Sequence, residues 1–183
     1  MRLGQYTGAD AGQPWTGVAL EDDTVVDLQA AGRGVGVDLP ATTSALLAEW
    51  GWRRKAELAV DHARKTGAGV RDRESVARVA PVHDPQKVVG VGLNYRDHAE
   101  EGDEDIPEEP VLFAKFPSAV VGPEATVKWD PDLTTQVDYE VELVAVIGQA
   151  ARDVDPDEAL DYVAGYTVGN DVSARDLQFG DGQ

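Results

Sequence analysis

The sequence contains no cysteine. That excludes disulfides, thiolate catalysis and sulfur-ligated metals within the chain. No apolar run approaches the roughly 18 to 20 residues that a membrane-crossing helix needs. The segment Met1 to Gly8 holds no apolar block of the secretory type. Positive charge is also scarce. Five lysines and eleven arginines face 34 acidic residues, for a net charge of −18. Such a chain repels a nucleic-acid backbone at long range, so nucleic acid is excluded as a partner. These absences predict a soluble, cytoplasmic protein with no membrane partner. Abundant acids with few lysines also suit a salt-rich, halophilic cytoplasm, where ions screen self-repulsion while carboxylates keep their hydration.

What is present allows one ordinary domain or two small ones: 183 residues, 42% of them hydrophobic. The first part, residues 1–75, reads as a small α+β domain. Trp15 to Leu20 and Thr24 to Leu28 alternate around Glu21-Asp22-Asp23, which predicts a hairpin. A helix is expected from about Thr43, with Leu46, Leu47, Trp50 and Leu58 on its apolar face. It should end near Lys65-Thr66-Gly67, a basic last turn followed by glycine. Trp50 and Trp52 are expected to pack, and 67–75 reads as a polar connector.

A second unit, residues 79–183, carries the candidate chemistry. Lys87 to Gly92 predicts a buried strand, Val111 to Lys115 another, and Thr126 to Asp130 and Asp138 to Ile147 two more. Asp155-Pro156-Asp157-Glu158 predicts a helix start, with an Asp cap, proline at the first position and Glu three residues on. That helix should run to about Ala164. The glycines Gly90 and Gly92 invite a dinucleotide-binding reading, but Tyr95 stands where the third glycine belongs, and the reading fails.

Glu140 and Glu142 lie two apart in a predicted strand, so their side chains share a face. Buried like charges repel and lose hydration, and a divalent cation relieves both penalties. Asp171, after an intervening helix, is the natural third ligand. An all-oxygen set suits Mg²⁺, Mn²⁺ or Ca²⁺ better than Zn²⁺. On spacing alone the pair suits the solvent face of an amphipathic strand as well. His98 and Glu101 are three apart on a helical turn, where the carboxylate can orient the imidazole as a general base. A surface histidine in an acidic stretch is the competing reading. His62 and His83 have no such setting.

Four motifs then occur in order: Gly-Leu-Asn-Tyr-Arg-Asp-His from Gly92, Phe-Ala-Lys-Phe-Pro-Ser-Ala from Phe113, Asp-Tyr-Glu-Val-Glu-Leu from Asp138, and Gly-Asn-Asp-Val-Ser-Ala-Arg-Asp-Leu-Gln from Gly169. Over residues 80–183 this resembles the fumarylacetoacetate hydrolase family, and the first unit resembles the small N-terminal domain that many bacterial and archaeal members carry. The resemblance implies an α+β protein whose catalytic domain is a mixed β-roll. It implies Glu140, Glu142 and Asp171 as ligands of Mg²⁺ or Mn²⁺, with His98 and Glu101 as a water-activating dyad on a segment that closes over substrate. It places Lys115 beside the metal, and Arg175 and Gln178 near polar groups of the substrate. For Arg175 a salt bridge with Asp176 or another acid competes with that role; for Lys115, a surface position at a strand end does.

The implied enzyme is a metal-dependent hydrolase of C–C bonds in acylpyruvate-like or fumarylacetoacetate-like 2-oxo acids, in aromatic or amino-acid breakdown. Hydratases, isomerases and decarboxylases of 2-hydroxy-dienoates use the same enolate chemistry, so the metal set does not choose among them. Family members continue beyond the last motif with a Gly-Lys pair and further strands. The resemblance therefore implies a catalytic domain incomplete at its C-terminus, a homodimer as the expected assembly, and an inactive binding subunit as the non-enzymatic alternative.

Overall fold

A computed structural model describes residues 1–8, 12–103 and 105–180. Its first body is a five-stranded antiparallel sheet of β1 (Arg2–Gly8), β2 (Trp15–Ala19), β3 (Thr24–Asp27), β4 (Val70–Asp72) and β5 (Val76–Val79), in the order β4-β3-β2-β1-β5. The predicted hairpin is β2–β3, with Val18 opposite Val26. It ends earlier than expected because Asp27 caps a helix: its carboxylate accepts from the Ala30 N–H at 3.0 Å and starts α1 (Leu28–Arg33).

The helix expected from Thr43 to Thr66 is broken in two. Thr42 caps α2 (Thr43–Ala48), and α3 (Trp52–Thr66) restarts after Gly51, whose φ of 70° is left-handed and favours glycine. The break turns Trp50 outward, 96% exposed, and Leu58 is exposed too. The apolar face of α3 is instead Ala56, Ala59, Val60 and Ala63, small residues that let α3 lie close against α1. With Val18, Val26, Leu28, Leu39 and Leu46 they form the core on one face of the sheet, and Trp52 packs at its margin. On the other face Tyr6 stacks on Trp15 at 5.3 Å between rings, with Val25 and Val76 beside them. Neighbouring Val25 and Val26 thus serve opposite faces, as strand alternation requires. The expected connector at 67–75 supplies β4 as an edge strand.

Beyond Ala80 the chain is built differently. The strands are β6 (Val88–Gly92), β7 (Val111–Lys115), β8 (Val137–Asp138), β9 (Val141–Ile147), β10 (Val163–Asn170) and β11 (Ser173–Ala174), with helices α4 (Arg96–Glu101) and α5 (Arg175–Gly180). They pair two by two, β6–β7, β9–β10 and β8–β11; every strand pair among the described residues is antiparallel. Residues 126–130, expected as a strand, are not one, and β6 is half exposed rather than buried. The helix expected from Asp155 is a 3-10 helix over Pro156–Tyr162, capped as predicted by the Asp155 carboxylate on the Asp157 N–H. It stops two residues early because Val163 and Ala164 already belong to β10.

The fold is α+β. Past Ala80 only Ala99 and Thr134 are fully buried among the described residues, while Val141, Leu143, Ile147, Tyr166 and Val168 stand exposed on β9 and β10. No helix among the described residues is long and apolar enough to cross a membrane.

Candidate metal centre

The long hairpin β9–β10 positions the carboxylates. Its register pairs Asn170 with Val141 and Gly169 with Glu142. The Asp171 N–H donates to the Glu140 carbonyl at 2.8 Å, which extends the ladder by one pair past the strand ends. Asp171 is therefore the cross-strand neighbour of Glu140, and Glu142 lies two residues along the same face. The three sequence-predicted ligands share one face at one end of the hairpin. Their mutual repulsion is felt: the Glu142 carboxyl is pushed above its ordinary value, first by burial and then by the charges of Glu140 and Asp171. A hydrogen bond from Tyr95 and the charge of Lys115 work against that rise.

Two cations answer the excess charge. Lys115, at the end of β7, reaches Asp171 Oδ1 at 2.6 Å and Oδ2 at 2.5 Å. Arg175 bonds Glu140 Oε1 through one terminal nitrogen, and Asp138 Oδ2 through Nε and the other, both at 3.2 Å. Burial opposes the Arg175 charge, but the bonds to Glu140 and Asp138 hold its guanidinium above the ordinary range. Its ion pairs are with these two acids. Asp176 instead accepts from Thr134 Oγ1 at 2.6 Å, which holds its carboxyl below the ordinary range. Gln178 is tied in through its Oε1, which accepts from Arg175 at 3.0 Å.

The fit to a hard cation rests on the donor set: three carboxylates on one face, already charged enough to recruit two side-chain cations. Gly169 keeps that face open. As the cross-strand partner of Glu142 it places no side chain beside the carboxylate, and a Cβ there would meet Val144 Cγ2 at 2.9 Å. As they stand, no three Asp, Glu or His side chains among the described residues are close enough together to hold an ion. Ion binding thus requires the three carboxylates to converge on a shared point.

His98 and Glu101 both lie on α4, at the predicted three-residue spacing, and both are exposed. No hydrogen bond or ion pair joins them among the described residues. What places α4 is Tyr95, the residue that precedes it: its hydroxyl accepts from the Leu143 N–H at 3.0 Å. The chain reaches α4 from β6 through Leu93, whose φ of 51° is unusual for a bulky residue and turns the backbone sharply. Sequence spacing assigns no role at the centre to Tyr95, Asn170, Asp138 or Gly169. Asn170 carried a signal, since a short amide at a strand end readily serves the backbone: its Oδ1 accepts from the Glu140 N–H at 3.1 Å. Nothing in local spacing marks Tyr95, whose hydroxyl partner Leu143 lies 48 residues away.

The family profile described as "Fumarylacetoacetate (FAA) hydrolase C-terminal" matches residues 87–183. The chain belongs to the fumarylacetoacetate hydrolase family. Oxaloacetate tautomerase fahd2, mitochondrial, from Xenopus laevis is 35% identical over 179 residues, covering 97% of this chain and 54% of that protein. A putative HpcE protein from Mycobacterium smegmatis superposes with a TM-score of 0.74 at 34% identity, over 98% of this chain and 57% of that one. Maleylpyruvate hydrolase from Sphingobium sp. SYK-6, solved with manganese(II) and pyruvate, gives a TM-score of 0.70 at 26% identity, over 96% and 60%. The chain thus spans a little over half the length of these family members. With 2-hydroxyhepta-2,4-diene-1,7-dioate isomerase from Mycobacterium marinum, 29% identical at a TM-score of 0.65 over 100% of this chain and 58% of that one, the similar proteins include a tautomerase, an isomerase and a hydrolase.

Proposed function

We propose that Glu140, Glu142 and Asp171 form the divalent-cation centre of an enzyme that enolises a 2-oxo acid, with keto–enol tautomerisation of an oxaloacetate-like dicarboxylate as the reaction. The observation that carries this reading is the placement of three carboxylates on one open face opposite Gly169. The relatives named oxaloacetate tautomerases and the manganese and pyruvate in the maleylpyruvate hydrolase structure favour it. A bound Mg²⁺ or Mn²⁺ would polarise the 2-oxo carbonyl and offset the charge that develops as the adjacent C–H bond breaks. His98 is the base that takes the proton from that carbon as the keto form becomes the enol, whose oxygen gains a proton from water, and gives a proton to that carbon in the reverse direction. Lys115 keeps a positive charge at the rim of the site, where a substrate carboxylate would lie. Arg175 holds Glu140 in place, and the Gln178 amide, its oxygen accepting from Arg175, makes no N–H bond among the described residues and could donate to substrate.

A second reading is hydrolysis of a C–C bond in a 1,3-dicarbonyl acid, favoured by the likeness to maleylpyruvate hydrolase. It requires one more event. Glu101 must reach His98 to orient it toward water, and the two are apart in the described structure. The experiment is incubation with Mn²⁺ and oxaloacetate in deuterated water, reading deuterium at the carbon next to the 2-oxo group. Exchange above the uncatalysed rate that falls at least tenfold in His98→Ala is the expected result. Exchange no faster than the uncatalysed rate refutes the enolising reading. Release of pyruvate from an acylpyruvate would instead select hydrolysis.

A further inference from the structure

The Tyr6 face of the first sheet carries a cavity of about 290 Å³, built from elements that the carboxylate centre does not use. Three arginines, Arg2, Arg73 and Arg78, line it with a single acid, Asp23. In a chain of net charge −18 that concentration of cations runs against composition. Alternation puts Arg2, Gly4 and Tyr6 on one face of β1, and Arg78 is the cross-strand partner of Tyr6 on β5. Gly4 faces Gly17 across β1 and β2, so neither strand places a side chain there, and the Tyr6 hydroxyl reaches back over Gly4, 3.2 Å from where a Cβ would stand. Tyr6 is only 4% exposed, yet its hydroxyl, which borders the cavity, makes no hydrogen bond among the described residues. Burial raises its pKa against the pull of the three arginine charges, so the hydroxyl keeps its proton and is a donor.

The cations stand at two ends. Arg2 lies four residues from Tyr6 along β1, roughly 13 Å of strand, and its guanidinium donates to the Leu20 carbonyl at that end. Arg78 and Arg73 mark the other end, and their chemistry is on show. Glu124, which does not line the cavity, accepts from Arg78 at 3.1 Å and pairs with Arg73 at 3.8 Å, so the two guanidiniums share one carboxylate. We propose that this cavity is a second ligand site, which binds a small organic dicarboxylate through Arg2 at one end, Arg73 and Arg78 at the other, and the Tyr6 hydroxyl between them. All four residues lie apart in sequence from Glu140, Glu142 and Asp171, and the site needs no metal. Arginines that served only as partners of Leu20, Val76 and Glu124 would hold the fold together and bind no ligand.

The test is a titration of succinate into the metal-free full chain, read by calorimetry and by the nuclear magnetic resonance shifts of the Gly4, Gly17 and Arg78 amides. Saturable binding that moves these amides is the expected result. Arg78→Gln and Tyr6→Phe should each weaken it by about tenfold, the usual loss when a bond to a charged group is removed. Tyr6→Phe deletes an oxygen that has no partner in the fold, so its effect reports on the ligand. Acetate, with one carboxylate, and inorganic phosphate, with its charge at one centre, should bind more weakly than succinate. No saturable binding overturns the proposal, as does native affinity in Arg78→Gln and Tyr6→Phe. Shifts confined to the residues around Glu140 would place the ligand elsewhere and overturn it too. Tighter binding of phosphate than of succinate would overturn the dicarboxylate assignment.

Discussion

Glu142 is the residue on which the electrostatics of the centre converge. Burial and the charges of Glu140 and Asp171 raise its carboxyl above the ordinary value of 4.5, so folding of the metal-free chain disfavours the ionised form relative to the unfolded chain. For a carboxyl with a raised folded pKa, that contribution to stability is complete below the ordinary value and is lost as pH rises through the raised one. Glu142→Gln, which mimics the protonated group, should therefore melt above the native chain at neutral pH in the presence of chelator. The difference should vanish at acidic pH. A thermal midpoint for Glu142→Gln below native at neutral pH would show that Glu142 is stabilised, not strained, where it stands. The same residue explains why a metal set was legible in sequence. The i, i+2 spacing in a strand fixes a shared face whatever the tertiary context, whereas the two cations that serve it come from 56 and 35 residues away from their partners, Lys115 to Asp171 and Arg175 to Glu140.

The elements divide into those whose signals are local and those that are not. The β2–β3 hairpin, the Asp155 cap and the ending of α3 at Gly67 follow from turn and capping chemistry within a few residues, and they stand where the sequence placed them. The single helix from Thr43 to Thr66 does not, because apolar spacing runs through Trp50 and only backbone conformation shows the break at Gly51. That break gives a clean test. Gly51 holds φ at 70°, so Gly51→Ala should cost about 1–2 kcal/mol by urea unfolding. A cost near zero would mean the α2–α3 corner is not held in the left-handed region. At the candidate site the same division applies: motif residues 92–98 announce a histidine, but the anchoring of its helix through Tyr95 to Leu143 depends on a strand pairing that no local pattern encodes.

At the scale of the molecule, two properties dominate: the charge of −18 and the uneven distribution of the core. Residues up to Ala80 enclose both core clusters, whereas the unit carrying the carboxylate centre buries almost nothing and is tied to the first by polar contacts such as Ser44 to Asp84 at 2.7 Å and Arg78 to Glu124 at 3.1 Å. Self-repulsion should therefore weigh heavily on so acidic a chain. Raising NaCl from about 0.1 M to about 1 M shortens the screening length from roughly 10 Å to roughly 3 Å, and the thermal midpoint should climb across that range. A midpoint that is flat or falls would remove the case for salt adaptation. That expectation follows from composition alone; that the described residues beyond Ala80 form no second core does not, because the apolar residues of β9 and β10 read as ordinary core strands.

The central claim is that three carboxylates on the β9–β10 hairpin hold one divalent cation, and the most direct measurement is a calorimetric titration of Mn²⁺ into the native chain and into Glu142→Ala. The native chain should bind one ion per molecule and Glu142→Ala should give no resolvable binding. Unchanged Mn²⁺ affinity in Glu142→Ala would contradict the account.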